Sequence, residues 1–204
     1  MIRTLALIIT AGILSTEMFA QGDHIRPQAF GISFMLNDFI TPQRIRSTSL
    51  SQVLKKNEWA KFKDMGSGLA IHYFKGIRNH LDFAASLSGT FIHDTNDGSD
   101  ESGNNFLLEA DASANIKMLS DKHSVTPYLI AGAGASLLRH SWGAFVPLGL
   151  GVKVNLFDEA AIFLNSQYRI PVTTFSIDYH FMYSLGIAGV IGNKKSETPT
   201  TVEY

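Results

Sequence analysis

From Ala144 to Ile170 apolar and polar residues alternate with a period of two, the spacing of β-strands, whose successive side chains point to opposite faces. Val146, Leu148, Leu150, Val152, Val154 and Leu156 fall on one face, and Pro147, Gly149, Gly151, Lys153 and Asn155 on the other. A two-residue turn at Asp158-Glu159 leads into a second arm, where Ile162, Leu164, Tyr168 and Ile170 oppose Phe163, Asn165, Gln167 and Arg169. Each arm has roughly the ten residues of a tilted strand that crosses a bilayer. The pattern predicts lipid against the aliphatic face and polar groups inside.

The same alternation predicts eight strands in all, near 28–37, 65–75, 81–93, 106–117, 125–137, 144–157, 160–170 and 179–191. Eight is the smallest common number for a membrane barrel. In the third, Leu81, Phe83, Ala85, Leu87 and Phe91 oppose Asp82, Ser86, Ser88 and Thr90. In the fourth, Phe106, Leu108, Ala110, Ala112, Ala114 and Ile116 oppose Glu109, Asp111, Ser113, Asn115 and Lys117. A soluble, lipocalin-like barrel with an apolar lumen does not accommodate that polar row. The fifth is blurred by Gly132, Gly134 and alanines, and glycines there and at 149, 151, 186 and 189 suit the curvature of a small barrel.

Link lengths alternate. Links of about 27, 12, 6 and 8 residues follow the odd strands and links of about 5, 7 and 2 follow the even ones. Short periplasmic turns and longer external loops mark outer-membrane barrels, so both termini are expected in the periplasm. Tyr73, Phe83, Tyr128 and Phe157 then gather at the short-turn end. Phe91, Phe106, Tyr168, Phe181 and Tyr183 gather toward the long-loop end, giving two aromatic girdles.

At the N-terminus Arg3, the apolar run Leu5 to Leu14, and then Ser15, Thr16 and Ala20 have the form of a secretory signal peptide over 1–20, cleaved after Ala20. Met18 is larger than the usual small residue at the minus-three position. The expected organisation is a signal peptide (1–20), an outer-membrane barrel (21–192) and a flexible periplasmic tail (193–204). The absence of cysteine excludes disulfide stapling and lipid anchoring through an N-terminal Cys. A net charge of −1 gives no bulk attraction to nucleic acid, so none is expected as a partner. After the signal no apolar run is long enough for a transmembrane helix, so membrane entry requires a closed barrel.

Beyond strand four, the run Gly149-Leu150-Gly151-Val152-Lys153-Val154, then Asn165-Ser166-Gln167-Tyr168-Arg169-Ile170-Pro171 and Tyr183-Ser184-Leu185-Gly186-Ile187, resembles OmpA-like eight-stranded outer-membrane barrels. Within these it is similar to the Bacteroidetes-type "outer membrane beta-barrel" family, over roughly residues 28–192. The resemblance implies an all-β, up-and-down antiparallel barrel of eight strands. Many relatives continue through a charged linker into a peptidoglycan-binding domain. Asn193 to Pro199 look like the start of such a linker, but peptidoglycan anchoring is not carried over to this chain. The barrel also lacks the terminal aromatic that often serves as an assembly signal.

The inward faces collect a charge network of His72, Asp82, Glu109, Asp111, Lys117, Lys153 and Arg169. Because an eight-stranded barrel is only wide enough to be filled by side chains, these charges are expected to pair as a plug rather than line a gated ion path. Glu109 or Asp111 is expected to meet Lys153 or Arg169 across the lumen. The long link at 38–64 carries Arg44, Arg46, Lys55, Lys56, Lys61 and Lys63 with Trp59 and Phe62, a mixture suited to anionic lipid headgroups or a partner protein. Lys55, Lys56, Trp59 and Phe62 are its interaction candidates.

His93-Asp94, His140-Ser141 and Asp178 with His180 are the residues a rim-located lipid A-modifying enzyme would use, but adjacency alone does not align a nucleophile and base. The acidic loop Asp94 to Glu101 misses the spacing of a helix-loop-helix calcium site, leaving weak cation bridging to lipopolysaccharide as its remaining role. No catalytic residue, metal or cofactor is expected. The function expected is a closed outer-membrane structural and interaction barrel that contacts outer-membrane lipid or lipopolysaccharide through its loops. An accessory barrel of a secretion or uptake complex, with a protein partner, is the alternative.

Overall fold

Eight alternating segments become eight strands in the computed structural model, which describes residues 25–92, 105–156, 159–173 and 177–191. They are β1 (Ala29–Asp38), β2 (Gly66–Arg78), β3 (Leu81–Ile92), β4 (Asn105–Lys117), β5 (Val125–Leu138), β6 (Ser141–Leu156), β7 (Ala160–Pro171) and β8 (His180–Val190). Each pairs antiparallel with its sequence neighbour, and β1 pairs with β8 from Ala29 opposite Val190 to Asp38 opposite Phe181, so the sheet closes into a barrel. Closure leaves no strand with unpaired backbone groups, the condition for a sheet in hydrocarbon. The signal peptide, His93, the acidic loop 94–101, Phe157, Asp158 and the tail 193–204 lie outside the described residues.

The alternation decides which face each side chain takes. Ile32, Phe34, Leu69, Leu87, Leu150, Leu164, Leu185 and Ile187 are exposed on the outer wall, while Asp82, Glu109, Asp111, Lys117 and Arg169 are buried in the lumen. This polarity is the reverse of a water-soluble barrel, where so continuous an apolar surface is rare. Aromatic pairs ring the long-link end: Phe91 with Phe106, and Tyr168 with Phe181, at centroid separations of 5.2 and 5.0 Å. At the other end Tyr73 packs against Phe30 on the outer wall. Tyr128, expected in that girdle, instead points into the lumen and donates its hydroxyl to Asn165 Oδ1. The outward positions of β5 near it are Leu129, Ala131, Ala133 and Ala135, and Gly151 on β6 leaves the room its ring occupies.

Two link lengths differ from expectation. β5 and β6 run on to a two-residue turn at Arg139-His140, with Arg139 at φ 58°, where a link of about six residues was expected. β2 and β3 likewise join through Asn79-His80 rather than about five residues. The alternation of long and short links therefore fails at the third long link.

The first long link is a folded cap rather than a plain loop. It contains α1 (Ile40–Ser47), α2 (Leu50–Lys56) and a short 3-10 turn (Phe62–Asp64). At the end of β1, Asp38 Oδ1 accepts the backbone N–H groups of Ile40 and Thr41, both at 2.9 Å, and so satisfies the first free donors of α1. Ser49 caps α2 through the Gln52 N–H, and Asn57 ends it in the left-handed conformation. Val53 of α2 is fully buried, and Thr41 Oγ1 accepts the N–H of Ala60 at 3.0 Å, tying the end of the cap back to its start.

Candidate functional site

Two charge clusters at different depths fill the lumen. Near the long-link end, Arg169 on β7 places Nη1 2.5 Å from Glu109 Oε2 and Nη2 3.0 Å from Asp111 Oδ1, both on β4. Strands β4 and β7 are three apart in the order around the barrel, so these bonds span the interior. Ser86 Oγ donates to Asp111 Oδ1 at 2.5 Å, and the Arg169 guanidinium lies 4.8 Å from the Phe145 ring centroid. His180 Nε2 lies 3.4 Å from Glu109 Oε1, its Nδ1 lies 3.1 Å from the Asp178 carbonyl, and Phe39 covers its ring at 4.6 Å.

The cluster at the short-turn end joins two lysines to two aspartates. Lys117 Nζ bonds Asp82 Oδ1 at 2.7 Å and also Asp121, while Lys153 Nζ bonds Asp82 Oδ2 at 3.2 Å and Asp121 Oδ1 at 2.9 Å. Each lysine thus meets both carboxylates, the sharing that low-dielectric burial requires if either charge is to persist. Asp121 belongs to the β4–β5 link, which folds under the barrel mouth. Burial pushes its carboxyl up, but Lys153 and Lys117 outweigh that and hold it below the usual carboxylate range. Beside it Arg26 donates to Asn155 Oδ1 at 2.7 Å, and Asn155 Nδ2 donates to the carbonyls of Asp121 and His123.

Between the clusters the lumen is packed with neutral groups. His72 Nε2 and Ser33 Oγ share a hydrogen bond of 2.8 Å, and the His72 ring packs against Phe74 and Phe163. Met35, Ala70 and Met182 form a small apolar layer, and toward the long-link end Asn37 Nδ2 donates to Thr90 Oγ1 at 3.2 Å. A lumen cavity at each charge cluster measures about 10 Å³, room for one water. Among the described residues this stretch of the lumen is filled by side chains.

The structure therefore brings six of the sequence-predicted lumen residues into ion pairs and sets His72 apart in a hydrogen-bonded aromatic layer. Glu109 and Asp111 both meet Arg169, whereas Lys153 pairs elsewhere. Pro147 is the register partner of Arg169, and Lys153 lies six residues further along β6, about 20 Å away. Asp121, His180, Ser86 and Arg26 were not anticipated in the network. His180 shares the inward face of β8 with Met182 and Ser184, a signal that period-two counting contains. Asp121 lies in a turn, where alternation says nothing.

On the cap, Lys55, Lys56, Trp59 and Phe62 are all exposed, Phe62 at 79%. Arg46 stacks on the Tyr179 ring at 3.8 Å and Arg44 donates to the Glu58 carbonyl at 2.8 Å, fixing α1 over the barrel. His140 and Ser141 lie exposed at the β5–β6 turn, and both ring nitrogens of His180 face groups already described, Glu109 and the Asp178 carbonyl.

No family model matches the sequence, and no curated protein matches it. The expected Bacteroidetes-type family therefore has no matching model behind it. Solved structures do match. Neisserial surface protein A superposes with a TM-score of 0.51 at 14% identity, over 80% of this chain and 96% of that one. The N-terminal β-barrel domain of OprF from Pseudomonas aeruginosa gives 0.49 at 11% identity over 81% and 98%. The attachment invasion locus protein Ail of Yersinia pestis gives 0.48 at 13% identity over 80% and 98%. With its closed eight-strand topology and its likeness to the neisserial barrel, the chain has the fold of the eight-stranded outer-membrane β-barrels.

Proposed function

We propose that the protein is an outer-membrane barrel that acts as a closed structural and interaction platform, with a helical cap that engages lipid or a partner protein on the external side. The observation that carries this reading is the joint inversion of polarity: a continuous apolar outer wall around a lumen whose charges are paired across the barrel. Hydrocarbon outside and ion pairs inside satisfy both surfaces, and water outside would satisfy neither. The long-link end, with its cap, faces outward. The barrel is non-catalytic in this reading: His180 is buried with Nε2 facing Glu109 and Nδ1 facing the Asp178 carbonyl, and His140 stands exposed at the β5–β6 turn.

Fractionation of cells making the full chain tests the placement. The protein is expected in the outer-membrane fraction, with trypsin on intact cells cutting the cap at Lys55-Lys56 and leaving the strands whole. Recovery in a soluble periplasmic fraction contradicts the reading. One observation favours an accessory role in a larger complex. The cap exposes Leu50, Leu54 and Phe62 beyond what contact with its own barrel requires. A pull-down from detergent-solubilised outer membrane separates the two: a stoichiometric partner supports the accessory role, and lipid alone supports the isolated platform.

A further inference from the structure

The outer wall carries a groove of about 670 Å³ that crosses β8, β1, β2, β3 and β4. Its walls include Leu69, Leu87, Phe106, Leu185 and Ile187, and Gly89 contributes no side chain to its floor. The Phe106 ring lies beside Gly89, so close that a Cβ there would meet Phe106 Cζ at 2.7 Å. Gly89 and Phe106 lie toward the long-link end of their strands, where Ser67 pairs Phe91 and Phe91 pairs Phe106.

The link that leads into β2 at the long-link end is the most basic segment of the chain. Lys63 precedes Gly66, the first residue of β2, by three positions, and Lys61 by five. Leu69 follows Gly66 by three strand residues, so it lies about 10 Å deeper in the wall. Across 39–65, six lysines and arginines face only Glu58 and Asp64, although the chain as a whole has a net charge of −1. An apolar groove in the wall with exposed lysines ahead of one of its strands, β2, matches one ligand chemistry: an acyl chain along the wall and a phosphate at the long-link end.

We infer that this groove seats an acyl chain of a phosphorylated glycolipid of the outer leaflet, lipid A in class, whose phosphate is held by Lys61 and Lys63. The inference rests on the membrane reading proposed above and deepens it by naming the lipid and its place. The groove climbs from mid-wall on β1 and β8, where Ile32 pairs Ile187, to Phe106 at the outward end of β4, which brings its upper part within reach of an outer-leaflet lipid.

The test uses the full chain in nanodiscs of phosphatidylcholine doped with lipid A or, separately, with phosphatidylglycerol, read by native mass spectrometry. Lipid A is expected to stay bound to the released barrel in preference to phosphatidylcholine. That retention is expected to fall about tenfold in K61Q/K63Q and again in Leu69→Trp, which fills the groove from a side chain 70% exposed. Ile116→Trp, on the outer wall of β4 outside the groove, is expected to leave it unchanged. Phosphatidylglycerol held as well as lipid A, equal losses in both tryptophan variants, or a lipid-free dimer as the main species would each overturn the inference. A chain that fails to enter nanodiscs contradicts the membrane reading itself, whereas an inserted barrel without lipid A contradicts only this inference.

Discussion

Arg169→Met removes the cation that joins Glu109 to Asp111 and keeps a side chain of comparable length in the same place. Arg169 is fully buried and Glu109 is 1% exposed, so the change leaves two carboxylates in a low-dielectric interior, with only His180 and Ser86 beside them. Breaking a buried pair from one side costs about 3–5 kcal/mol, because the remaining charge keeps its desolvation penalty without its partner. The triple variant R169M/E109Q/D111N removes charge on both sides and is expected to recover most of that loss, since neutral replacement of a buried network is often nearly free. Urea unfolding of the chain folded into vesicles, followed by the fluorescence of Trp59 and Trp142, measures both. A single-variant cost under about 1 kcal/mol, the range of solvent-exposed pairs, would refute the reasoning. It would mean that water reaches and screens this cluster.

Asp121 has its carboxyl held low by Lys153 and Lys117 against burial. A depressed carboxyl contributes stability that is full above its unfolded range and lost as pH falls through the folded value. The gap in urea midpoint between wild type and D121N should therefore be widest near neutrality and close below about pH 4; a gap independent of pH would count against the pairing. Asp38→Ala removes the acceptor of two N–H groups of α1 and is expected to cost about 1 kcal/mol, with faster amide exchange over 40–47 and unchanged exchange in β4. Gly151→Val drives a side chain into the Tyr128 ring and Asn165, and should lower stability by about 1–3 kcal/mol or prevent folding. Gly189→Val, at a position with open space around it, is the matching control and is expected to be near neutral on the same urea curves.

The strands and their faces were legible because hydrocarbon and lumen impose opposite polarities on alternate residues, as in β4, where Glu109, Asp111 and Lys117 stand in one row. β5 was harder to read. Its outward face is mostly alanine, and its inward glycines at 132 and 134 leave space for neighbours such as Phe145, so hydropathy barely separates the faces and does not reveal that Tyr128 points inward. The cap is illegible in the sequence for a different reason. The signals of α2 are an N-cap serine at 49 and a left-handed Asn57, and these carry information about a helix only once a barrel end exists for it to cover. Long-range pairings follow strand register and depth, which alternation alone does not give: it leaves Lys153 and Arg169 as equal partners for Glu109 or Asp111, whereas depth gives both carboxylates to Arg169 and Lys153 to Asp82 and the turn residue Asp121.

Planar-bilayer recording of the purified full chain addresses the closed lumen most directly. With ion pairs at two depths and a packed layer between them, the barrel is expected to give no steady conductance, and R169M to give at most brief, irregular openings. Steady single-channel current from the wild-type chain would contradict the plug, and with it the account of this protein as a platform rather than a pore.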